Sequence, residues 1–194
     1  MANADAAFGL RPVRYLSGAP YNGAANKYYI PSSDSDSAAY IGSLVKLTGG
    51  ADADGIPAVT ANVSSGNAVV GVVVGVMPVT ADSTIYRENS TARYVMVADD
   101  PDLMFEVQED SVGGALAATA TGGTCMLTGF TTGDTATGLS GIELDSSNLS
   151  ETSDTDDDVR IIQLVQRADN EIGANANWLV RLNVHAYVNA GVGV

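Results

Sequence analysis

From residue 40 onward, short apolar runs alternate with clusters of Gly, Asp, Ser and Asn, a rhythm that predicts strands joined by turns. Ile41 to Thr48 reads as a strand closed by GGADADG at 49–55, a glycine- and aspartate-rich turn. Ile56 to Val63 follows, and Ser64-Ser65-Gly66-Asn67 leads into Val69 to Val79. That last run, VVGVVVGVMPV, is apolar at both alternating sets of positions, which predicts a central strand covered on both faces. Gly71 and Gly75 leave gaps where another segment can approach closely.

Arg93 to Ala98 and Leu103 to Glu109 flank the turn Asp99-Asp100-Pro101-Asp102. Leu103, Phe105 and Val107 alternate with Met104, Glu106 and Gln108, the pattern of a half-buried strand. Residues 110 to 158 are mostly Gly, Ser, Thr, Ala and Asp, which predicts short strands and long surface loops. Val159 to Ala168 fits both helical and strand spacing, and its β-branched residues favour a strand. In Trp178 to Val188 the even positions share one apolar face, placing His185 on the polar face opposite. The expected fold is all-β: a single β-sandwich, barrel or β-tulip-like domain over residues 33–194.

Residues 1–32 show neither period and carry Pro12, Pro20, Pro31 and the turn pair Asn22-Gly23, so an extended N-terminal arm is expected. The arm is not linker-like. It holds five of the twelve aromatic residues (Phe8, Tyr15, Tyr21, Tyr28, Tyr29), together with Leu10, and three of the nine basic ones (Arg11, Arg14, Lys27). Aromatic-plus-Arg composition is what protein interfaces enrich. Phe8, Leu10, Arg11, Arg14, Tyr15, Tyr21, Tyr28 and Tyr29 are therefore the candidate contact residues. Such an arm either folds back on its own domain or lies across a neighbouring subunit.

Composition narrows the function. In 194 residues, apolar content is an ordinary 45%, but only 16% are charged, so Ser, Thr, Asn, Gly and Ala must cover much of the surface. Acidic residues outnumber basic ones 23 to 9, a net charge of −14. Nucleic acid and anionic membranes both demand a clustered basic face, so neither is an expected partner. MANADAAFGL lacks the basic and apolar regions of a secretory signal peptide. The longest apolar run is about half the ~20 residues of a spanning helix. A lone Cys125 allows no internal disulfide, in keeping with synthesis in a reducing cytoplasm and with stability drawn from core or assembly. Three N-x-Ser/Thr sequons are close to the number chance gives in so Ser/Thr-rich a chain.

The catalytic inventory is thin. Cys125 and His185 are the only residues of their types, and nothing near Cys125 in sequence would lower its pKa, so a dyad is not expected. One Cys and one His cannot build a zinc site. Asp52 and Asp54, the Asp99–Asp102 turn and Asp154–Asp158 could offer oxygen to calcium, but none has EF-hand spacing, and solvated turns are the plainer reading. Asp145 to Asp158 holds six acids and no base, the pattern of a solvated loop. No phosphate-binding glycine loop or nucleophile elbow occurs. No enzyme activity, cofactor or metal is expected.

The stretch FGLRPVRYLSGAPYNGAANKYYIP at 8–31 resembles the start of small virion structural proteins of tailed bacteriophages, described as capsid decoration or cement proteins. STARYVMVADDPDLMFEVQED at 90–110, Ala168-Asp169-Asn170-Glu171 and RLNVHAY at 181–187 look like the rest of that family. IGSLVKLTGG and AVVGVVVGVMPV within 41–79 are similar to the β-tulip pattern of lambda-type head decoration proteins. The resemblance implies a homotrimer on the capsid exterior of the virion, made in the host cytoplasm, with the major capsid protein as partner. Other virion parts (head fibre, tail or baseplate) and a host-surface glycan-binding module remain alternatives.

Overall fold

The structure, a computed structural model, describes residues 3–151 and 154–188. It is all-β, with eleven strands and a single 3-10 turn among the described residues. In chain order the strands are β1 (Arg11–Tyr15), β2 (Asn26–Ile30), β3 (Leu44–Ala51), β4 (Pro57–Thr60), β5 (Gly71–Val76) and β6 (Arg93–Ala98). There follow β7 (Leu103–Gln108), β8 (Thr124–Thr128), β9 (Glu143–Ser150), β10 (Val159–Leu164) and β11 (Asn177–Leu182). Strands β2-β4-β3-β5-β6 close into a barrel, and β1-β7-β11-β10-β8-β9 form a six-stranded sheet.

The barrel is one contiguous stretch of chain, whereas the sheet is not. Its edge strand β1 pairs antiparallel with β7, so the whole barrel is inserted between two neighbouring strands of the sheet. The expected division into an arm at 1–32 and a body at 33–194 therefore does not hold. Within 1–32, β1 belongs to the sheet and β2 to the barrel, where it runs antiparallel to β6 from Asn26 to Ile30. Residues 3–10 lie on the same chain rather than extending away. Gln108 takes the Ala6 N–H on its Oε1 and donates to the Ala4 carbonyl, and the Asn3 side chain bonds the backbone of Glu171 and Ala174.

Two cores lie back to back and share strands. Tyr28, Ile30, Val45, Val59, Val70, Val73, Val95 and Val97 fill the barrel. Leu44, Val69, Val72 and Ala98 point the other way, joining Phe105, Val107, Leu127, Leu144, Ile161, Trp178 and Val180 of the sheet. This explains the valine run: Val70, Val72 and Val73 are all fully buried because β5 separates the two cores. The close approach expected at Gly71 is present, since a Cβ there would run into the Ala98 carbonyl oxygen; at Gly75 it would make only ordinary contact with Met96.

Three strand-level expectations need correction. β7 is buried on both faces, because residues 3–8 and the loop after β10 cover its polar side. There Glu106 pairs with Arg167. β11 ends at Leu182 instead of running to Val188. The chain turns at Asn183, whose N–H donates to the Asp158 carbonyl, and crosses to the barrel, where His185 bridges Val69 in parallel. His185 is accordingly buried rather than on a sheet surface. The acidic stretch 145–158 is also not simply a solvated loop. It contains most of β9, and Asp157 and Asp158 are buried.

Those buried carboxylates replace backbone acceptors. A bulge between Cys125 and Leu127 interrupts β8, and the Asp158 carboxylate accepts the freed Leu127 N–H at 2.8 Å. The same carboxylate accepts from Ser65 Oγ at 2.8 Å and from the Gly66 N–H at 2.9 Å, fastening a barrel turn to the sheet. Asp110 bonds Ser146 through both its N–H and its hydroxyl, drawing β9 against the end of β7. The Asp110 N–H donates to the Leu144 carbonyl, so the sheet curls almost onto itself.

Candidate functional site

The N-terminal candidates do not form one patch. Phe8, Leu10, Arg11 and Tyr21 converge with Pro12 on a cavity of about 270 Å³ at the joint between sheet and barrel. Ile41, Val73, Val74 and Leu139 complete its walls. The joint is built by two glycines, Gly9 and Gly42. The Leu10 N–H donates to the Gly42 carbonyl at 3.1 Å, and the Gly42 N–H donates to the Val73 carbonyl at 2.8 Å. Gly42 has φ of +92°, and a Cβ there would stand 2.6 Å from the Phe8 carbonyl oxygen, so only glycine lets the two segments cross. The Tyr21 N–H donates to the Val13 carbonyl at 3.1 Å, folding the β1–β2 connection back along the edge of β1.

The cavity lining is mainly apolar, with one charge at the rim. The Arg11 guanidinium stacks over the Phe8 ring, 4.4 Å from its centroid, while the side chain stays exposed. Such a cation–π contact orients the group without neutralising it. Neither Arg11 nor Arg14 forms an ion pair among the described residues, although acids outnumber bases more than two to one in the chain. Val13 and Leu16, on and just beyond β1, are exposed apolar residues flanking Arg14.

The other candidates lie elsewhere. Tyr15 packs on the sheet core from its margin. Tyr28 is inside the barrel, where its hydroxyl donates to Asp99 at 2.7 Å and meets the Tyr187 hydroxyl at 2.9 Å. Burial is the main cause that raises its pKa. Tyr29 is half-buried against Tyr94, and Lys27 sits over the Tyr94 ring at 4.6 Å. The Tyr94 hydroxyl donates to Asp52 at 2.6 Å, which holds the Asp52 carboxyl below its ordinary range and pushes Tyr94 up to about 12.

The groups weighed for catalysis are separately engaged. The buried Cys125 thiol donates to the Asp145 carbonyl at 3.2 Å, and desolvation, then neighbouring carboxylates, pushes its pKa up to about 12. His185 accepts the Tyr187 N–H on Nδ1, and its Nε2 has no hydrogen-bond partner among the described residues. Burial lowers its pKa against the opposing pull of Asp99. Among the described residues no three His, Cys, Asp or Glu side chains converge in a metal-holding group. Asp52, Asp100 and Asp154 each accept the N–H two residues ahead, the bond of an Asx turn.

Sequence reasoning missed the far walls of the cavity, which come from four residues in three segments distant in the chain. It also missed the β5–β6 loop at 77–86, where Met77, Val79 and Ile85 are exposed. A signal for that loop existed: Met77-Pro78-Val79 follows the valine strand and precedes the polar run Thr80 to Thr84. The chain matches no protein-family model, no curated protein and no solved structure.

Proposed function

We propose that this chain is a virion structural protein of the capsid decoration type, which binds the outside of a major capsid shell and bridges neighbouring subunits. The observation that carries the reading is the N-terminal surface. In an acidic molecule, Arg11 stands without an ion pair at the rim of an apolar cavity, and the residues that follow it carry Arg14, also without an ion pair, and the exposed side chains of Val13 and Leu16. Aromatic, aliphatic and Arg side chains in one place are the composition of a protein contact. The sequence resemblance at 8–31 supplies the class of partner, and repeated symmetric attachment would make modest single contacts strong in sum.

Removing residues 1–30 is no test, because it would take β1 from the sheet and β2 from the barrel. The surface variant Val13→Glu/Arg14→Glu/Leu16→Glu is the better probe. It should bind purified expanded shells at least about tenfold more weakly while melting like the parent. Unchanged occupancy on the shell would overturn the contact. A few copies per particle, rather than hundreds, would move the chain from the shell to a tail or fibre.

A further inference from the structure

We propose that the outer face of the six-stranded sheet binds an acidic polypeptide segment, one carboxylate of which enters a cavity lined by Arg160 and Arg181. The inference rests on the proposed shell contact, which it shares at Arg14, and gives the chemistry of the partner's surface. Strand register brings together three basic residues that the sequence keeps far apart. Arg14 of β1 stands opposite Met104 of β7, Met104 opposite Arg181 of β11, and Arg181 opposite Arg160 of β10. The adjacent row, Phe105, Val180 and Ile161, is buried in the core, so the arginine row lies on the outer face. Strands about 4.8 Å apart make the row roughly 15 Å long. Three of the chain's nine basic residues thus share one line in a molecule of net charge −14. Residues 3–8 and the loop after β10 cover this face near Gln108 and Glu106, while Arg14, Arg160 and Arg181 stay partly exposed.

Like charges directly opposite one another repel, and here the two guanidinium groups reach apart. Arg181 donates from Nε to the Pro101 carbonyl at 2.9 Å and from Nη2 to Asp102 at 2.8 Å, on the β7 side. Arg160 Nη1 donates to the Gly122 carbonyl at 2.9 Å, on the β8 side. Both line a polar cavity of about 250 Å³, together with Pro101, Asn183 and His185. His185 is only 2% exposed, and its Nδ1 accepts the Tyr187 N–H, which puts the proton of the neutral ring on Nε2. The Val70 and Asp99 carbonyls act on the ring without completing a hydrogen bond to Nε2. Neither bond of Arg181 uses its Nη1. The nearby acids already hold donors: Asp99 accepts from Asn26 and Tyr28, Asp100 from the Asp102 N–H, and Asp102 from Arg181. The cavity therefore offers N–H groups in want of an acceptor, a need that one carboxylate fills. A nucleic-acid backbone fits less well, because its charge at every phosphate would also meet Asp102 beside Arg181 and Asp154 beside Asn183.

Fluorescein-labelled hexaglutamate titrated into the full chain at about 20 mM salt should bind saturably, and more weakly as salt rises. Arg160→Gln/Arg181→Gln should weaken it at least about tenfold. Arg14→Gln, which removes a side chain without an ion pair among the described residues, should weaken it about threefold. That single variant carries the test if the double variant melts well below the parent. No saturable binding, equal binding by parent and variants, or tighter binding of an oligothymidylate of equal charge would each overturn the inference. Purified shells offer the separating experiment. If Arg160→Gln/Arg181→Gln fills them like the parent while Val13→Glu/Arg14→Glu/Leu16→Glu does not, this inference falls and the proposed function stands.

Discussion

The barrel and the six-stranded sheet solve the same problem by different means. Each must satisfy the backbone groups at its strand edges while burying an apolar interior. The barrel closes five strands on themselves around small aliphatic side chains, with Tyr28 the one aromatic among its buried residues, and the buried Arg87 guanidinium donates to the Pro31, Asp34, Ser37 and Thr91 carbonyls of its connections. The sheet stays open and holds the larger residues Trp178 and Phe105, and its irregular edges are finished by carboxylates. Asp158 takes the amide that the β8 bulge frees, Asp110 binds β9, and Glu109 accepts from the Leu116 N–H at 3.0 Å and from Trp178 Nε1 at 3.2 Å. Desolvation raises the Glu109 pKa. Beside the barrel the buried charge is a guanidinium that meets carbonyls, whereas in the sheet the buried charges are carboxylates that meet N–H groups.

This contrast can be broken at graded cost. Trp178→Ala should be most damaging, at about 3–5 kcal/mol in urea unfolding, because it empties the largest buried side chain and takes one of the donors from Glu109. Asp158→Ala should follow at about 3–4 kcal/mol, since three donors lose their acceptor. If Asp158→Ala instead costs less than an exposed substitution, carboxylate replacement of the ladder is the wrong account. In the barrel, Val97→Ala should cost about 2 kcal/mol, a pure loss of packing with no polar consequence.

The smallest effect concerns the joint between the two units. Burial depresses the folded pKa of His185 below its ordinary 6.5, so the unfolded chain binds the proton more readily. Stability should therefore be full above pH 6.5 and fall as pH drops through the depressed folded value, by no more than about 1.4 kcal/mol per pH unit. Urea midpoints at pH 7 and pH 5.5 should differ in the parent and differ less in His185→Gln. Equal slopes in both would remove His185 from the pH response. Cys125 offers a complementary check: it should resist alkylation in the native protein and react once unfolded.

Much of the strand content was legible in the sequence, most clearly where both cores demand valine. β6 spans the expected Arg93 to Ala98, and β5 lies within the expected Val69 to Val79. The N-terminal strands escaped for physical reasons. β1 contains Pro12 and a register shift before Arg14, which breaks the two-residue period, and β2 sends only Tyr28 and Ile30 inward. The faces of β7 were misread because its cover comes from Gln108 binding residues near the N-terminus, about a hundred positions away. The same holds for the candidate surface. Composition pointed to Phe8, Arg11 and Tyr21, but Leu139 joins them only through the bonds linking Ile41 to Gly138 and Ser140.

The insertion of the barrel between β1 and β7 also sets an order of events during synthesis. Strands β2 to β6 leave the ribosome as an unbroken run and can close before any of β7 to β11 exists. β1 is made before the barrel yet paired after it, because its partner β7 follows only once the whole barrel has been made. Contacts of such long sequence separation are slow to form. For that interval the nascent chain carries Arg11, Val13 and Arg14 on an unpaired strand, with Leu16 just beyond it, ahead of an already finished barrel.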